Sequence, residues 1–96
     1  MRVAKDAATE ELRVRAHLAR GIALDPALLI IEHPTATVPP AEHASLASSI
    51  AKIASARRMA TLIVTMDRKF GMTAAERMLE LHPATGELRP VRKRWW

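Results

Sequence analysis

The 96-residue chain has no cysteine. Disulfides, thiolate metal sites and cysteine nucleophiles are excluded, and the composition fits a reducing compartment. Aromatics are almost missing too, being confined to Phe70 and the terminal Trp95 and Trp96. Alanine supplies a large share of the apolar residues and buries little area, so a core has to rest on Leu, Ile, Val and Met. No apolar run nears the roughly 20 residues that span a bilayer. The opening MRVAKDAATEELRVR has no signal-peptide apolar region. A cytoplasmic protein of one modest domain, residues 1–96, is expected. Gly21, Gly71 and Gly86 are the only glycines, and they lie far apart. No G-x-x-x-x-G-K-[ST] loop exists, and with it goes the usual main-chain cradle for nucleotide phosphates.

What is present is a net charge of +5, much of it in Arg57-Arg58, Arg68-Lys69 and the tail Arg92-Lys93-Arg94. Such a surface attracts nucleic acid or an anionic membrane, although charge alone reads first as a solvated exterior. The tail 92–96, RKRWW, reads as a frayed end. Stacking on nucleic acid or seating at a membrane interface are its alternatives.

Periodicity predicts a helix over 9–23, with Leu12, Ala16, Ala19 and Ala23 on one stripe and Val14, Leu18 and Ile22 beside it. Asp6 or Thr9 can cap its start, Glu11 and Arg15 form an i, i+4 pair, and Asp25-Pro26 ends it. The run 28–31, LLII, predicts a short strand covered on both faces. Pro34, Pro39 and Pro40 mark a loop. A second helix is predicted over 40–58, with Leu46, Ala47, Ile50, Ile53 and Ala54 inward and a solvated face of Ser45, Ser48, Ser49, Lys52 and Ser55. ATLIVT, 60–65, predicts a strand, and 67–75 is irregular or a short helix. A hairpin follows over 77–91, strand 77–81 turning at Pro83-Ala84-Thr85-Gly86 into a return over 87–91. Strand-helix-strand implies a parallel pair. The expected fold is α/β, with the first helix and the crossover helix covering the two faces of that pair. Met59, Met66, Met72 and Met78, at no helical period, read as core filling. Four histidines lack metal-ligand spacing, so no metal site is expected.

Three segments in order spell a resemblance. ARGIALDPALLIIEHPT resembles, without gaps, the "ARALALDPxLLLLDEPT" segment of ABC-transporter ATPases. TLIVTMD, 61–67, resembles their switch strand, which usually ends Thr-His-Asp. ERMLELHPATGEL resembles their closing hairpin. The match covers about residues 8 to 90 and only the C-terminal half of such a domain. The resemblance implies ATP and magnesium as family cofactors, transporter subunits as partners, and a location peripheral to the inner face of the membrane.

The matched positions are altered. Glu32 stands at the Walker B aspartate and can still reach a metal. His33 stands where the family's glutamate polarises water, and lacks the carboxylate charge. Met66 replaces the switch histidine, and a thioether cannot donate a hydrogen bond to a γ-phosphate. Ala8-Thr9-Glu10-Glu11-Leu12 occupies the signature position, where two carboxylates repel a triphosphate, and Pro39 replaces the D-loop acid. Glu32, His33 and Met66 are therefore expected to be vestigial nucleotide-site positions, with no catalytic residue and no cofactor in the isolated chain. A degenerate, non-hydrolysing partner or regulatory subunit follows, or a truncated half-domain. The alternatives are a small basic module for nucleic acid or anionic membrane, and an ATPase half completed by another chain. In the family's sheet the P-loop strand lies between the switch strand and the hairpin. Here either strand 77–81 closes directly on strand 60–65, or an edge stays open and invites self-association or docking.

Overall fold

A computed structural model describes residues 7–91, with side chains described from residue 10 onward. The order is α1 (Ala7–Ala23), β1 (Leu28–Glu32), a 3-10 turn (Pro40–Glu42), α2 (His43–Arg57), β2 (Ala60–Val64), α3 (Arg68–Ala74), β3 (Leu79–His82) and β4 (Glu87–Pro90). The fold is mixed α/β: three helices, a parallel pair β1–β2 and an antiparallel hairpin β3–β4. Among the described residues no helix is long and apolar enough to cross a membrane.

Most boundaries agree with the periodicity to within two residues. Thr9 is not a cap, because it lies within α1, and Asp6 falls outside the described residues. α2 closes at Arg58, held in the left-handed region at φ 49°, with the Met59 amide reaching the Ala54 carbonyl at 3.1 Å. That six-residue closure is usually made with glycine, because a Cβ is disfavoured there. The 67–75 segment resolves into α3, capped by Asp67, whose carboxylate accepts from the Phe70 amide at 3.0 Å.

β1 and β2 run in parallel with Leu28 beside Ala60, Ile30 beside Leu62 and Glu32 beside Val64. Because side chains alternate, Leu29, Ile31, Thr61 and Ile63 share the other face. That face meets the core: Ile31, Val38, Leu46, Ala47, Ile50, Phe70 and Ala74 are buried, with Val14, Leu18, Leu29 and Ile63 packed against them. α1 and α2 thus both contribute to one side of the sheet. Arg15 binds them together, donating to Ser49 Oγ at 3.0 Å and Ser45 Oγ at 3.1 Å while also holding Glu11 at 2.8 Å. Ser45 and Ser49 are therefore part of a helix–helix contact, Ser49 half-buried in it and Ser45 still exposed on the expected solvated face.

The expectation of a helix on each face does not hold. Leu28, Ile30, Leu62 and Val64 remain 45–54% exposed. Parallel strands normally have both faces covered. Here the two helices meet each other as well as the sheet, so the cover falls on a single side.

Nor does strand 77–81 close on strand 60–65. β3 pairs only with β4, leaving two separate two-stranded sheets, so the open-edge outcome is the one found. The hairpin turns through Gly86 at φ 71°, with the Gly86 amide on the His82 carbonyl at 2.8 Å. Met66, expected to fill the core, is instead 93% exposed.

Candidate functional site

The C-terminal ends of β1 and β2 are where a parallel sheet usually receives a ligand. Glu32, His33 and Met66 all lie there. Glu32 ends β1, exposed, on the uncovered face with Val64. His33 is also exposed; its amide donates to the Val64 carbonyl at 2.7 Å and continues the ladder one step beyond the strand. Its φ of 46° then turns the chain away, into the loop that buries Pro34 and Val38. Met66 stands two residues past β2.

Glu32 and His33 also line one open groove of about 840 Å³, which runs along β1 beneath α1. Arg13, His17 and Arg20 of α1 form part of its wall, and Ile30 part of its floor. Met66 is not among its lining residues. The sequence positions thus share one end of the sheet, but they do not converge on one point.

Among the described residues no three acidic, histidine or cysteine side chains are placed to hold a metal ion. The two acids at the signature position are embedded in α1 and already paired, Glu10 with Arg13 and Glu11 with Arg15, each at 2.8 Å. Their charge is spent within the helix, so repulsion of a triphosphate from that position is weaker than their bare charges suggest. Pro39 stands in extended conformation before the 3-10 turn and offers no acid.

A better organised cluster sits beside these positions and involves residues that spacing alone did not single out. His43, at the start of α2, places Nε2 2.7 Å from the Val38 carbonyl and Nδ1 3.3 Å from Asp67 Oδ2. Asp67 in turn caps α3, and its own amide donates to Thr65 Oγ1 at 3.0 Å. The loop after β1, the start of α2 and the end of β2 are thereby joined through one imidazole. Both ring nitrogens face acceptors, and a neutral imidazole has one N–H. Both contacts are hydrogen bonds only in the imidazolium form. The arrangement is a structural clamp, since both partners belong to the protein and neither nitrogen is left for a substrate. The Thr-x-Asp sequence before Phe70 was a visible capping signal, whereas the His43 pairing joins residues 24 apart and had none.

The clamp has a direct test. His43→Ala and Asp67→Ala, alone and combined, are expected to show a coupling of about 0.5–1.5 kcal/mol in urea denaturation, as for a partly exposed charged hydrogen bond. Strictly additive effects would mean that the two side chains do not interact.

No protein-family model, no curated protein and no solved structure matches this chain.

Proposed function

We propose that this chain is a degenerate half of an ABC-type nucleotide-binding domain that binds another protein chain and does not hydrolyse ATP. The observation that carries the reading is the combination found at one end of the parallel sheet. The strand ends that would bear the chemistry carry Glu32, His33 and Met66, while the sheet behind them leaves an apolar face uncovered. Phosphoryl transfer is catalysed mainly by positioning and by charge stabilisation. The sequence has no glycine-rich loop, and among the described residues no cluster of ligands supplies them. An exposed aliphatic patch has a use in docking and none in hydrolysis. The role is that of a partner or regulatory subunit beside a transporter ATPase, at the cytoplasmic side of a membrane.

Isothermal titration with Mg-ATP tests the inactive reading. No saturable heat is expected. Binding tighter than about 100 µM, equivalent to roughly 5.5 kcal/mol, would overturn it and favour an ATPase half that another chain completes.

A further inference from the structure

The parallel pair is not alone in leaving an apolar face bare. In the hairpin Leu79 lies opposite Pro90 and Leu81 opposite Leu88, while Glu80, Arg89, His82 and Glu87 take the other side. The three leucines are 50–58% exposed. The preceding pair in the ladder is Met78 with Val91, whose amide reaches the Met78 carbonyl at 2.9 Å. By alternation Met78 points to the side opposite Leu79 and Leu81. Met78 also reaches the body: a Cβ added at Gly71 would lie 3.2 Å from its sulfur. The hairpin is thus seated through its non-leucine side.

We propose that two copies of the chain associate about a two-fold axis, the leucine face of each hairpin covering the bare parallel-sheet face of the other copy. The two faces match in kind and width. Each is two strands across, four or five residues long and aliphatic apart from Glu32 at the end of β1, which suits sheet-on-sheet packing at about 10 Å. Area favours exchange over the simpler arrangements. Exchange covers the exposed aliphatic side chains of both faces at once, each of them 45–58% exposed, and so comes nearer the roughly 800 Å² per partner of a standard interface than either face alone. Stacking the two parallel-sheet faces on each other would use one face only and leave both hairpins bare. Pairing through the sheet edges would cover neither face. The two-fold relation follows because each copy carries both halves of the contact. This inference does not rest on the resemblance to ATPases: nucleotide titration tests that reading, and solution mass tests this one.

Light scattering after size exclusion, on the full chain between about 10 and 200 µM, should give twice the mass of one chain. Leu62→Lys alone and Leu81→Glu alone should each give monomers, with circular dichroism unchanged because both side chains are half-exposed. Should Leu62→Lys lose its structure, Ile30→Lys on the same face replaces it. Mixing the two variants should restore the dimer. One contact is then wild-type on both sides, and the other sets the introduced lysine against the introduced glutamate. A wild-type monomer across the range, or a dimer in either variant alone, overturns the proposal. A wild-type dimer with no recovery on mixing also overturns it and indicates a symmetric stack of like faces.

Discussion

Leu46→Ala is expected to cost about 3–4 kcal/mol, a large part of the 5–15 kcal/mol that holds a typical domain together. Leu46 is 1% exposed and the largest fully buried side chain among the described residues. It lies where α2 meets the inner face of the sheet, in contact with the cluster that includes Ile31, Ile50 and Phe70. It also borders a small, partly open pocket of about 100 Å³ shared with Leu18, Ile31 and Ile50. Truncation would deepen that pocket, and the surrounding alanines have little side chain with which to fill the space. Urea denaturation should show a lower midpoint at an unchanged slope. Leu46→Met, which keeps the volume, should lose less than about 1.5 kcal/mol. Equal losses for the two substitutions would contradict the cavity argument.

Phe70→Ala is expected to be at least as damaging, at about 3–5 kcal/mol. Phe70 is 2% exposed and the only aromatic among the described residues. α3 has seven residues, too few to persist as a helix by itself. It is held at its start by the Asp67 cap and along its length by Phe70 and Ala74 against α2. Loss of the ring should release α3 locally before the rest unfolds. Hydrogen exchange should therefore show faster exchange at the Gly71 and Ala75 amides, which bond back to the Asp67 and Gly71 carbonyls at 3.0 Å. Protection at these amides equal to that of the wild type, with global stability little changed, would show that Phe70 does not anchor the helix.

Much of the local structure was legible in the residues. Leu12 to Ala23 repeats at the helical period, and LLII and ATLIV are short and bounded by breakers, so the helix-strand-helix-strand order could be read directly. The turn at Pro83–Gly86 likewise announced the hairpin. These are properties of neighbours along the chain, and neighbours along the chain determine them. The candidate site was less legible. Glu32, His33 and Met66 were placed at the strand ends by their position after apolar runs, but their separation around the sheet end was not. His43 was unremarkable among four histidines until the fold brought it to Asp67.

The same limit explains the uncovered faces. Apolar runs in β1 and β2 state that both faces of the pair are greasy; they do not state what lies over them. Arg15, through Ser45 and Ser49, and the contacts of Val14 and Leu18 draw α1 and α2 together over one face. The hairpin, seated through Met78, turns its leucines elsewhere. By itself the sequence determined the elements, their order and the absence of a phosphate-binding loop, because periodicity, breakers and glycine content are local. Only the tertiary structure decided which apolar surfaces are covered, because cover depends on where distant segments pack. That is why the second face of the sheet, and with it the case for a partner, emerges from the fold.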